Sequence, residues 1–327
     1  MRYRTLGRTG FEVSDIAHGL WGMSGWSESD DKESRKAIQL AIDLGCNFFD
    51  TAWAYGNGKS DGLLGEALAN NKQKEKDKRI YAASKIPPKN LQWPASPKYK
   101  YSEVFPADHV LKYTKRISEK LGVEAIDVLQ FHVWDDSWAE EPEFRDTVAQ
   151  LKTDGWIRSF GLSLNRWEPE NGMKALRTGL VDVVQVIYNI FDQAPEDKLF
   201  PLCRELNIGV IARVPLDEGS LGGKMTLKTK FPKDDWRARY FGPENLSETI
   251  PRVEKLKEIV PEGMTLPEMA LRFILADPTV STTIMGMRKL AHVRANMALS
   301  DDLPLEDGLL AKLKEHRWDR KPKRWSD

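Results

Sequence analysis

The chain has 327 residues and carries 49 Lys+Arg against 49 Asp+Glu, so its formal net charge is zero. That balance argues against a nucleic-acid partner or an anionic membrane surface, because both demand a basic excess. The two cysteines, Cys46 and Cys203, each lie in apolar stretches and read as core thiols; a cytoplasmic protein is the simplest account. No run of about 18 apolar residues is present, so nothing is expected to span a membrane, and MRYRTLGRTG lacks the apolar segment of a signal peptide.

The chain opens with residues 2–6 and 12–13 flanking Gly7-Arg8-Thr9-Gly10, which predicts a β-hairpin. Strands are then expected at 16–20, 47–50, 80–85, 127–132, 157–163, 183–187, 209–214 and 282–284. Helical patterns alternate with them at 30–44, 61–68, 107–121, 143–154, 169–178, 197–206, 247–259 and 267–275. Asp30 and Glu33 have the spacing of a capping box at the first helix. Eight Val/Ile-rich strands alternating with helices predict a single (β/α)8 barrel over the whole chain, with the hairpin across its bottom and a tail from about residue 305. Two long connections, 87–106 and 215–246, carry Trp93, Tyr99, Tyr101, Phe105, Trp236, Tyr240 and Phe241, and are expected to wall a pocket. The basic tail LKEHRWDRKPKRWSD either covers that pocket or is disordered.

Chemistry on such barrels sits at the C-terminal ends of the strands. Asp50, Lys85 and His132 fall there, and Tyr55 follows Asp50 by five residues. A phenol near its ordinary pKa of about 10 is a poor proton donor, so a neighbouring cation is required. Lys85 beside Tyr55 would lower that pKa, Asp50 would hold Lys85 charged, and His132 would orient a carbonyl. Such an assembly protonates an oxygen while a nicotinamide cofactor delivers hydride, which side chains cannot do. Each residue also has a structural reading: a rim ion pair, a core histidine, a packing tyrosine. Convergence of four on one end of one sheet favours catalysis. The five histidines show no metal-ligand spacing, and no G-x-G-x-x-G follows a strand. The run Gly219 to Lys224 has the wrong spacing for a Walker loop, leaving a nest of backbone N–H groups for a pyrophosphate as its remaining use.

With these residues placed, the chain resembles the aldo-keto reductases along nearly its whole length. The blocks are MRYRTLGRTGFEVSDIAHGLWGMSGW, FDTAWAYG, SKI, DVLQFH, GWIRSFGLSLN and VVQVIYNIFDQ, in the family's order. The resemblance implies a barrel that binds NADPH across its mouth, with Tyr55 as proton donor, Lys85 and Asp50 tuning it, and His132 orienting the carbonyl. It places Ser163 and Gln185 at the nicotinamide carboxamide. Leu216, Glu218, Gly219, Ser220 and Leu221 match the pyrophosphate loop; Gly286, Arg288, His292 and Asn296 match the adenosine end. Trp21 matches a pocket wall, and Leu20 stands where the family has Thr. The chain departs from the family at Arg213, where a Tyr often stacks on the nicotinamide, and at Leu164, where an Asn is usual unless Asn165 substitutes. Gly286 and His292 replace a Lys and an Arg that grip the 2′-phosphate in one branch, with Arg288, Lys289 and Arg294 as nearby cations.

The expected activity is NADPH-dependent reduction of an aldehyde or ketone, or the reverse alcohol oxidation, with NAD as the less favoured cofactor and a monomer as the simplest state. A small carbonyl or alcohol is the expected partner, with Trp21, Trp26, Trp53, Trp93 and Trp134 as candidate substrate walls. The alternatives are a cofactor-sensing regulatory subunit and a lyase forming a Schiff base on Lys85.

Overall fold

A computed structural model describes residues 1–25, 29–71 and 79–323. Trp26 lies outside the described residues. Strands β1 (Tyr3–Thr5) and β2 (Glu12–Ser14) pair antiparallel as the expected hairpin. Strands β3 (Ile16–Gly19), β4 (Phe48–Asp50), β5 (Tyr81–Ile86), β6 (Ile126–Phe131), β7 (Ile157–Ser163), β8 (Val183–Ile187), β9 (Gly209–Arg213) and β10 (Val280–Gly286) follow. They close in that order into a parallel barrel, with β10 returning to β3. The (β/α)8 architecture expected from the alternation is the one observed.

The barrel interior explains where chemistry can sit. Its lower layer is apolar: Ala17, Phe48, Ala83, Val128, Val183, Ile211 and Ile284 cluster with Leu6 and Val13 of the hairpin region, which plug the bottom. Gly7 closes the same end: a Cβ there would lie 2.2 Å from the Gly209 nitrogen, so only glycine lets the hairpin approach. Side chains two positions on along a strand point the same way. One layer up, this parity selects Gly19, Asp50, Lys85, Gln130, Gln185, Arg213 and Gly286. The strands thus pass from an apolar plug to a polar layer within one pleat.

Outside the barrel, Asp30 Oδ1 accepts from the Glu33 N–H at 2.8 Å and caps helix Asp31–Asp43, as its spacing predicts. Helices Lys59–Asn71 and Ala107–Leu121 meet at Gly65, where a Cβ would lie 2.2 Å from the Lys120 carbonyl oxygen. The helix expected over 169–178 shortens to Met173–Arg177. Its first half is captured by side chains instead: Glu168 Oε2 accepts from Asn165 Nδ2 at 2.8 Å and from Asn171 Nδ2 at 3.1 Å. Within the long connections lie short helices Tyr101–Val104 and Arg237–Tyr240, and helices Leu290–Met297 and Asp307–Lys314 follow β10. No described helix is long and apolar enough to cross a membrane.

The tail is fastened along its described length. The Trp318 N–H donates to the Phe191 carbonyl at 2.8 Å, and Arg317 pairs with Asp197 at 2.6 Å. Arg320 is buried; it grips Asp192 and reaches Asp217 Oδ1 at 2.7 Å, with its guanidinium 4.8 Å from the Trp167 ring centroid. It ties the segment after β8 to the segment after β9, both at the C-terminal end of the barrel.

Gly65→Ala is expected to cost about 1–3 kcal/mol of stability in urea unfolding, because backbone must move to admit the methyl group; an unchanged midpoint would contradict this contact. Arg320→Met should cost about 3–5 kcal/mol near pH 7, since it leaves two buried carboxylates unpaired. Burial already pushes the Asp192 carboxyl up with Arg320 beside it. A carboxyl raised in the folded state destabilises when ionised, so the loss in Arg320→Met should shrink on acidification towards about pH 5. A deficit independent of pH would assign the loss to packing alone.

Candidate active site

Lys85 is the deepest charge in the polar layer and has no solvent exposure. Its Nζ donates to Asp50 Oδ2 at 2.6 Å and to the Thr51 carbonyl at 2.8 Å. Asp50 Oδ1 accepts from Gln185 Nε2 at 2.8 Å, so β8 braces the pair across the barrel. Burial pulls the Lys85 pKa down while Asp50 opposes it.

Tyr55 and His132 stand over this pair. The Lys85 ammonium lies 5.2 Å from the Tyr55 ring centroid, below its face, and Tyr55 and His132 pack edge to face at 5.6 Å. Trp93 packs edge to face on His132 at 4.6 Å, and Trp21 leans on Tyr55 at 6.4 Å. The four sequence-predicted residues are therefore together. The electrostatics differ from expectation, however. Burial, then Asp50, push the Tyr55 phenol well above its usual range, and Arg213 offsets them only in part. Asp50 pairs with Lys85 at 2.6 Å and offsets that cation's influence on the phenol, whose ring the ammonium faces. Tyr55 is a firmly protonated phenol. Burial, with Lys85 and Arg213, holds the His132 imidazole well below its ordinary pKa and hence neutral; its Nδ1 is buried without a partner among the described residues.

A cavity of about 800 Å³ opens above these groups, at the upper end of the range for small-molecule sites. Asp50, Tyr55, His132, Gln185, Trp21, Trp93, Arg213, Leu216, Glu218, Gly219, Gly286, Arg288 and His292 all line it. The other expected positions stand behind the wall. Leu20 is buried beneath Trp21, with its N–H donating to the Asp50 carbonyl at 2.9 Å. Ser163 ends β7 opposite Gln185, Ser220 Oγ donates to Asp217 Oδ2 at 2.6 Å, and Leu221 is core. Asn296 sits in helix Leu290–Met297, outside the lining.

Three aromatic and amide expectations are corrected. Trp134 is fully buried against Phe144, at 4.8 Å, and faces the core. Trp53 packs on Tyr113 at 5.4 Å, outside the cavity. Asn165 does not replace the missing amide at Leu164: its Oδ1 accepts from the Ala95 N–H at 3.1 Å and its Nδ2 is spent on Glu168. Tyr99, Tyr101 and Phe105 pack in or against the core rather than the pocket, whereas Trp236 does line it, 5.4 Å from Trp21. The sequence reading missed Arg166, which also lines the cavity and pairs with Glu218 at 2.7 Å. Its only sequence signal is a lone cation just past a strand end.

The residues present suit an elongated anionic group such as a nicotinamide dinucleotide. Arg213, Arg288 and Lys289 supply positive charge along the cavity. Gly219 holds φ 104°, a conformation that side chains rarely adopt, and nothing lies within 4 Å of where a Gly286 Cβ would be. Among the described residues no cluster of side chains is arranged to hold a metal ion.

The family model described as the Aldo/keto reductase family matches residues 15–317. Aldo-keto reductase YhdN of Bacillus subtilis is 27% identical over 301 residues, covering 90% of this chain and 87% of the relative. A probable voltage-gated potassium channel subunit beta of Arabidopsis thaliana is 29% identical over 341 residues, 99% of this chain and 98% of the relative. Among solved structures, the glycerol dehydrogenase of Gluconobacter oxydans aligns with a TM-score of 0.78 at 25% identity, covering 96% of this chain and 94% of that one. The match runs through the strand ends that carry Asp50, Tyr55, Lys85 and His132, and the chain belongs to the aldo-keto reductase family, as an oxidoreductase of the NAD(P)-dependent type.

Proposed function

We propose that the chain reduces an aldehyde or ketone to an alcohol, or runs the reverse oxidation, with NADPH preferred over NADH. The observation that carries this reading is the buried Asp50–Lys85 pair directly beneath Tyr55 and His132 on the wall of a cofactor-sized cavity. The bound nicotinamide supplies the hydride. Tyr55 enters the reaction protonated and gives its hydroxyl proton to the carbonyl oxygen as negative charge builds there. Lys85, 5.2 Å from the ring centroid, favours the phenolate as it forms, and Asp50 beside it offsets part of that attraction. Neutral His132 holds the carbonyl by a hydrogen bond. Arg288 and Lys289 are assigned to the cofactor's phosphate charge, while burial keeps the His292 pKa down and confines it to hydrogen bonding.

A second reading has one specific support: the relative named as a probable potassium channel subunit beta covers 99% of this chain. A cofactor-sensing subunit would bind the dinucleotide and turn over little. The Schiff-base alternative is disfavoured by geometry, since the Lys85 Nζ is buried and engaged by Asp50 and the Thr51 carbonyl.

Tyr55→Phe is expected to lower aldehyde reduction by roughly 1000-fold while cofactor binding, read by tryptophan quenching, changes little; turnover above a tenth of the parent's would remove Tyr55 from the role. Because His132 is neutral, the pH profile of kcat/KM should contain no limb near the ordinary histidine range that disappears in His132→Gln. Such a limb would show that His132 titrates during the reaction.

A further inference from the structure

The charges in the cavity do not cancel. Lys85 is matched by Asp50 and Arg166 by Glu218, at 2.6 and 2.7 Å. Arg213 is matched by none. Its Nη2 donates to the Leu164 carbonyl at 3.0 Å, its buried Nε has no partner, and no carboxylate pairs with it among the described residues. Burial, then the like charge of Arg166, bring its pKa down to about 10, so it remains a cation at neutral pH. The position is also held against strain. Val214, the next residue, sits at φ 60°, which a β-branched side chain resists, and its carbonyl is held by Asn189 Nδ2 at 3.0 Å. A half-buried guanidinium without a counter-charge is costly unless an anion meets it, and its edge donors suit a carboxylate.

Position decides what that anion belongs to. Arg213 ends β9, one strand layer above the apolar plug, and lines the same cavity as Tyr55 and His132. Its charge is felt by both of them. Arg288 and Lys289 lie elsewhere on the wall, after β10. The unmatched charge therefore stands at the reacting end.

We propose that Arg213 binds a carboxylate on the substrate, so that the cavity selects small oxo acids: aldehydes or ketones with a carboxylate a few carbons from the carbonyl. This rests on the carbonyl-reductase reading of the same site. Hydride adds to the carbonyl carbon, the C=O π pair moves to oxygen, and the Tyr55 proton completes the hydroxyl. The product is a hydroxy acid with its carboxylate unchanged and the cofactor oxidised. The flat face of the guanidinium stays available to a nicotinamide ring while its edge N–H groups hold the carboxylate.

The test compares 4-oxobutanoate with its methyl ester, two aldehydes of equal chain length that differ in charge. The readout is the ratio of kcat/KM for acid over ester within each protein, which cancels any general loss. The parent should favour the acid by about tenfold or more, expressed in KM; Arg213→Gln should bring the ratio to near one, and Arg213→Lys should restore part of it. In parallel, succinate should bind the NADP-loaded parent but not the loaded Arg213→Gln variant, read by tryptophan fluorescence. A parent ratio near one, or a ratio unchanged in Arg213→Gln, overturns the proposal. So does a variant that loses NADPH binding and succinate binding alike, which would assign Arg213 to the cofactor's own phosphates. Turnover of neutral aldehydes without acid preference sinks this inference alone, whereas no hydride transfer to any carbonyl sinks the reductase reading with it.

Discussion

The arrangement depends on one interaction: an ammonium and a carboxylate buried together inside the barrel. Lys85 has no exposure, and stripping water from such a charge costs several kcal/mol unless the partner's geometry is good. Asp50 and the Thr51 carbonyl provide it, and Gln185 satisfies the second Asp50 oxygen. Three strands are thereby bound at one level. The same cation sits under the Tyr55 ring and helps to keep His132 neutral. Removing it would leave Asp50 buried without its ion-pair partner beneath both groups.

That pair can exist because of what lies beneath it. The lower barrel layer is packed with Phe48, Val128, Ile211 and their neighbours and sealed by Leu6 and Val13, so water cannot reach the ion pair from below. Above it, the walls come from segments clamped by distant partners: Arg166 to Glu218 across 52 positions, and Arg320 to Asp192 and Asp217 from the tail. A preorganised proton donor needs both a dry floor and fixed walls.

Much of this was legible in the sequence. The strands were readable because buried parallel strands are rich in Val and Ile, and their ends fell within two residues throughout, β10 being two residues longer at each end. Asp50, Lys85 and His132 were readable because a barrel concentrates chemistry at strand ends. The direction of the Tyr55 shift was not, since it turns on how deeply the phenol is buried and how near Asp50 lies. Trp134 and Trp53 were misplaced because an aromatic residue at a rim carries no mark of which way it points. The Arg166–Glu218 pair and the tail clamp were invisible because both join residues far apart in the chain. Asn165 looked like a substitute for a missing amide because sequence adjacency cannot show that Ala95 had already claimed it.

The central claim is hydride delivery to a carbonyl carbon at this site, and tracing the hydride tests it most directly. The protein would be incubated with reduced nicotinamide cofactor deuterated at C4 and an aldehyde, and the alcohol analysed by mass spectrometry and NMR. The account predicts deuterium on the carbinol carbon, one per cofactor oxidised. Alcohol formed without the label, or borohydride trapping of the aldehyde on Lys85 with the cofactor untouched, would contradict it.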